Sequence, residues 1–162
     1  MGVAHDLLQQ AGHLANYQGV NATQSDLRRA VSTAYYALFH LLAEDCGRRW
    51  LGGSAAAETG LQRALDHGPM KQSSMQFKAP HWRDWHGSLQ VVPPEIRRVA
   101  QAFIDLQEDR QLADYDNHER WTVTDVQPLL EIATSAVQDW LTIRDTPMAG
   151  DYLLSMILGK RR

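Results

Sequence analysis

Between Pro94 and Asp116 the apolar residues Ile96, Val99, Phe103 and Leu106 recur at spacings of three, four and three. A helix with that rhythm presents a single seam to other helices. The helical period runs through nearly all of the 162 residues, and alternating β-branched runs are missing. Neither an internal repeat nor a low-complexity tract interrupts it. The expected architecture is therefore one all-α domain spanning residues 1–162, an antiparallel up-and-down bundle of four long helices plus short accessory helices. With 44% hydrophobic and 22% charged residues, the chain has enough apolar material for a core and enough charge for a solvated surface. Apolar runs stop far short of the ~18–20 residues that would cross a bilayer, so no membrane partner is expected. The start lacks a basic segment leading into an apolar one, which makes the cytoplasm the expected location. Cys46, the only cysteine, rules out an intrachain disulfide and a multi-cysteine zinc site.

Local signals set the expected boundaries. A first helix covers about residues 3–16. Ser25 or Thr23 caps a second that runs to about Arg49 and ends at Gly52-Gly53. Ser54 caps a third, expected over 55–67 and closed by Gly68-Pro69. Residues 68–92 read as a loop or short-helix insertion, because a structureless loop of that length is uncommon in a compact domain. Pro93-Pro94 opens the fourth helix, which extends to about Asp116. Thr122 or Thr124 caps a fifth that reaches Arg144, with Leu141 on its buried side and Pro128 in its first turn. The apolar stretch Tyr152–Leu158, within a C-terminal docking segment at 147–162, should pack on the bundle or on a second copy. That stretch is one reason to expect a homodimer.

Continuing the seam of the fourth helix brings Arg110 and then Ala113 to the buried face, with Asp114 one turn after the arginine. A desolvated guanidinium costs several kcal/mol, on the order of 3–5, unless something compensates it. Two readings stay open. Either Arg110 and Asp114 form a pair that locks helix register, or Arg110 lies on the floor of a cleft and meets phosphate, which suits its planar fork of donors. On the second helix, Leu27, Val31, Ala34, Leu38 and Leu41 share one side, and Arg29, Ser32, Tyr36 and His40 share another. No charged residue occurs between Ala30 and Ala43, so the polar line is expected to face protein across a groove. His40 is either a general acid or base or an interhelical hydrogen-bonding residue. Tyr35 and Phe39 read as core. Arg63 and His67 fall one turn apart at the expected end of the third helix, where a cation suits the helix dipole; from there His67 can also reach the cleft.

Other chemistries find no support in the pattern. His81 and His86 lie in a tryptophan-rich stretch without an obvious third metal ligand, so no metal is expected there, and Trp82 and Trp85 read as packing anchors. No Glu-x-x-His, His-Glu-x-x-His, Walker or Gly-x-Gly-x-x-Gly motif is present, and no cofactor is expected. Net charge is −3, with small basic clusters at Arg28-Arg29, Arg48-Arg49, Arg97-Arg98 and the C-terminal Lys160-Arg161-Arg162. The arginine pairs are expected to be mainly solvated.

Three segments carry a family resemblance. Ser25-Asp-Leu-Arg-Arg-Ala-Val-Ser-Thr-Ala-Tyr-Tyr-Ala-Leu-Phe-His40, Leu65-Asp-His-Gly68 and Asp109-Arg-Gln-Leu-Ala-Asp-Tyr-Asp116 resemble HEPN-domain proteins (higher eukaryotes and prokaryotes nucleotide-binding). In order and spacing the likeness covers about residues 25–145. It implies a small helical bundle, a homodimer, and toxin–antitoxin or phage-defence biology, often beside a minimal nucleotidyltransferase that serves as antitoxin. Many such proteins are metal-independent ribonucleases whose site is an arginine followed, after four to six residues, by a histidine. Arg110 matches that arginine. The histidine would fall at Tyr115, Asp116 or Asn117, and His118 lies one place beyond. Between residues 105 and 119 six carboxylates also stand against Arg110 alone, a balance that repels RNA. The expectation is a non-catalytic module that binds a nucleotide, RNA or a partner protein, through Arg110, Asp114, Tyr115, Tyr36, Ser32, Arg29 and His67. The alternative is a ribonuclease that uses Arg110 with His118 or His40. A chance likeness in an unrelated bundle would place Arg110 far from Tyr36 and His40.

Overall fold

A computed structural model describes residues 2–16, 21–52 and 54–159. In chain order the elements are α1 (Val3–Ala15), α2 (Gln24–Leu51), α3 (Ala55–Ala64), α4 (His67–Phe77), β1 (His81–Arg83), β2 (Leu89–Val91), α5 (Pro94–Tyr115), α6 (Val123–Ile143) and α7 (Pro147–Leu158). The fold is all-α apart from one small hairpin. Among the described residues no helix is long and apolar enough to cross a membrane. The Lys160-Arg161-Arg162 cluster lies outside the described residues.

Helices α1, α2, α5 and α6 form the bundle. Their directions follow from which residues meet. Along α2, Arg28, Ser32 and Tyr35 meet Ala113, Asp114 and Phe103 of α5, so these two helices are antiparallel. Helix α6 runs with α2, since Leu27 clusters with Val126 near one end and Asp45 bonds Trp140 near the other. The expected seam of α5 is buried throughout: Ile96, Val99, Phe103 and Leu106 are fully covered, and Arg110 and Ala113 follow at 8% and 2% exposure. The expected face of α2 is likewise inside. Leu141 is not; it is 48% exposed on the outer side of α6.

Two of the long helices start in the same way. Thr23 and Asp26 at α2, and Thr122 and Asp125 at α6, exchange side-chain and backbone hydrogen bonds in reciprocal capping boxes. Because α6 begins at Val123, Pro128 is its sixth residue and lies beyond the first turn where it was expected. Its ring nitrogen cannot donate to the carbonyl of Thr124 one turn back. Of the arginine pairs, Arg29, Arg48, Arg97 and Arg98 are exposed as expected, whereas Arg28 and Arg49 are half-buried. Arg28 donates to the backbone oxygens of Ala113 and Glu119, at 2.8 and 2.6 Å, and thereby caps the carbonyl end of α5. Arg49 donates to those of Arg144 and Thr146, and Arg98 makes a fork of two bonds to Asp139.

The segment between α3 and α5 is more ordered than a loop. Gly68 and Pro69, expected to close α3, instead fall in the first turn of α4, which starts at His67 after the extended Asp66. Proline is tolerated there because first-turn N–H groups lack helical partners in any case. A hairpin follows, with His81 opposite Val91 and Arg83 opposite Leu89. Asp84 holds its turn by accepting from the backbone N–H groups of His86 and Ser88, and Gly87 supplies the required positive φ of 89°. Trp82 is buried against Phe77, and the Trp85 indole donates to Asp151, so both tryptophans anchor as expected. Helix α7 lies on α4 and α2 and buries Tyr152, Leu153 and Met156. The apolar C-terminal segment thus docks on its own bundle, and it gives no separate argument for a dimer.

Candidate functional site

Where α2 crosses the last turns of α5, a buried cation meets a cluster of aromatic rings. The Arg110 Nε donates to Asp114 Oδ2 at 3.0 Å, within one turn of α5. The other oxygen of Asp114 accepts from the Ser32 hydroxyl of α2. One carboxylate therefore joins the two helices. The guanidinium carbon lies 5.5, 5.6 and 5.9 Å from the ring centres of Tyr35, Tyr36 and Tyr115, within cation–π range. Burial alone would lower the pKa of Arg110; the Tyr36 phenol, Asp114 and Tyr115 outweigh it and hold the group above its ordinary value. The pair lock and the cleft-floor phosphate site were both open in the sequence. The geometry shows the Arg110–Asp114 pair on which the first reading rests.

His67 completes the cluster from the start of α4. Its Nδ1 lies 2.5 Å from the Tyr35 hydroxyl, and its ring lies against that of Phe39, tilted by 40° with centres 4.7 Å apart. The sequence placed His67 at a helix C-terminus, where positive charge is welcome; it stands at an N-terminus, where it is not. Burial, and then the positive charge of Arg110, push the imidazole below its usual pKa, so it is neutral at pH 7. Tyr35 is fully buried, and burial pushes its phenol well above the usual value. A protonated phenol facing a neutral imidazole is satisfied when the hydroxyl donates to Nδ1. Either way round, this bond engages the Nδ1 of His67.

The structure thus brings together Arg110, Asp114, Ser32, Tyr36, Tyr115 and His67. His40 stands at the edge, exposed, with Tyr36 between it and Arg110 (ring centres 5.9 Å apart). Burial of part of its ring lowers its pKa, against the opposing charge of Glu44. Arg29 is exposed on the flank of α2 and takes no part. His118 lies in the turn after α5, its backbone N–H bonded to Asp116, and borders a hollow that Arg110 does not line. The arginine and the histidine of the nuclease reading therefore face different surroundings. Among the described residues no three His, Cys, Asp or Glu side chains are grouped to hold a metal ion.

Two members of the cluster were not singled out from the sequence. Tyr35 read as core, and its hydroxyl was the available signal, because a buried phenol requires a partner. Gln107 is 3% exposed one turn before Arg110, donates to the His67 carbonyl at 3.4 Å, and leaves its own side-chain oxygen without a partner. No spacing rule marks it. Compared with models of protein families, with curated proteins and with solved structures, the chain matches none.

Proposed function

We propose that the chain is a HEPN-like, non-catalytic helical module of toxin–antitoxin or phage-defence type, working in the cytoplasm as a homodimer that binds a nucleotide, RNA or a nucleotidyltransferase-type antitoxin. The observation that carries the non-catalytic part is the closure of Arg110. Its Nε donates to Asp114 and three tyrosine rings lie 5.5–5.9 Å from its guanidinium carbon. RNA cleavage needs a base near the 2′-hydroxyl and a free cation near the phosphate. Here the cation is paired with Asp114, and the Nδ1 of His67 is engaged with the Tyr35 hydroxyl. The HEPN-like part rests on the three sequence segments, and the convergence of Tyr36, His67 and Arg110 on one cluster supports it.

Incubating the purified protein with total RNA in EDTA tests the reading. The expected result is intact RNA. Cleavage by the wild type that disappears in Arg110→Ala would replace it with the ribonuclease reading, in which Asp114 must release the guanidinium and His118 or His40 must move toward it. Sedimentation checks the dimer separately, a monomer mass being the adverse result.

A further inference from the structure

We propose that the outward face of the last two turns of α5 is a docking site for an arginine- or lysine-bearing segment of a partner protein. The seam of α5 points inward, which leaves Glu108, Gln111, Leu112 and Tyr115 on the outside. With Asp116 and His118 of the following turn they border an open hollow of about 780 Å³. Leu112 is 42% and Tyr115 74% exposed. A merely solvated face would carry polar residues there, and adjoining large apolar side chains on a polar rim mark contact surfaces.

Charge selects the occupant. Two carboxylates, Glu108 and Asp116, border the hollow, no lysine or arginine does, and the adjacent Arg110 is paired inward with Asp114. Lys71 reaches Glu108 at 2.9 Å, and the Glu108 side chain remains 57% exposed. Tyr115 meets Arg110 through one face of its ring, and most of the rest is open to a second cation. Phosphate is repelled by this field. So is a second copy meeting it through the same face, as a two-fold contact requires. A basic segment with an apolar residue for Leu112 meets every feature. The proposal is independent of the HEPN-like reading and of whether RNA is cut.

The test uses a fluorescein-labelled peptide of arginine and leucine, with a glutamate-for-arginine counterpart, read by anisotropy on the full chain. Wild type is expected to bind the basic peptide, more weakly as salt rises, and not the acidic one. Tyr115→Ala is expected to weaken binding about tenfold, as is Glu108→Gln combined with Asp116→Asn. Tyr115→Phe, which keeps the ring, and Asp6→Asn, which changes charge on α1, should stay within about twofold. Circular dichroism confirms that these surface variants fold. The proposal falls if the basic peptide does not bind, if Asp6→Asn weakens it as much as Tyr115→Ala does, or if an oligoribonucleotide competes for the same face.

Discussion

Replacing Asp114 by alanine removes the one carboxylate that joins α2 to α5 and leaves a buried guanidinium without its anion. Breaking a fully buried pair costs about 3–5 kcal/mol. Arg110 meets that condition with its side chain 9% exposed, but Asp114 is 30% exposed and partly screened by water. Discounting for that screening leaves about 2 kcal/mol for the ion pair. The Ser32 hydroxyl loses its acceptor, which adds about 0.5–1 kcal/mol. The expected total is about 2.5–3 kcal/mol, or roughly 5–10 °C in Tm for a chain of this size. Urea unfolding of Asp114→Ala measures it, and a double-mutant cycle with Arg110→Met assigns it. Once the charge is gone there is no stranded cation, so the Asp114 substitution should cost under about 1 kcal/mol in that background. An effect below about 0.5 kcal/mol in the wild-type background, or the same cost in both, refutes the lock.

His67 gives a pH signature. Its pKa is lower folded than unfolded, so the unfolded state binds more protons, and the stability it contributes is complete above the unfolded value near 6.5 and declines as pH falls below it. His40 acts with the same sign, so unfolding free energy should fall between pH 7 and 5, less steeply in His67→Gln; identical slopes would remove His67 from the account. The depressed carboxylates Asp26, Asp84, Asp125 and Asp145 lose their contribution mainly below about pH 5, under that window. Asp45, 1% exposed, accepts from Trp140, Arg144 and Arg48. Asp45→Asn should cost about 3 kcal/mol in urea unfolding, and a loss under 1 kcal/mol would show that this cluster does not tie α2 to α6. A Cβ at Gly150 would come 2.6 Å from the Arg49 guanidinium. Gly150→Ala should therefore displace Arg49 from its two carbonyl partners at about 1–2 kcal/mol, and an unchanged Tm would contradict the arrangement.

The α5 seam, its arginine and the i, i+4 aspartate were legible because they depend only on helical period and on the cost of an unpaired buried charge. Thr23 and Thr122 were among the caps read from side-chain chemistry. What failed was punctuation. Gly68-Pro69 looks like a helix stop, yet the same pair fits a first turn, and only tertiary contacts on both sides decide between them. That error reversed the electrostatic setting of His67, from a site favouring its charge to one that suppresses it. The hairpin strands have three residues each, too few for an alternation to register. Asp45 stayed hidden because two of its three partners, Trp140 and Arg144, come from about a hundred residues away in the chain, and a helix face does not announce a distant indole.

The closure of Arg110 can be observed directly by NMR on its guanidinium. A closed cation predicts an Nε–H proton that exchanges slowly with water and shows NOEs to the ring protons of Tyr35 and Tyr36, both lost or weakened in Asp114→Ala. A rapidly exchanging Nε–H without those NOEs would mean that Arg110 is open to solvent, and the lock between α2 and α5 would have to be abandoned.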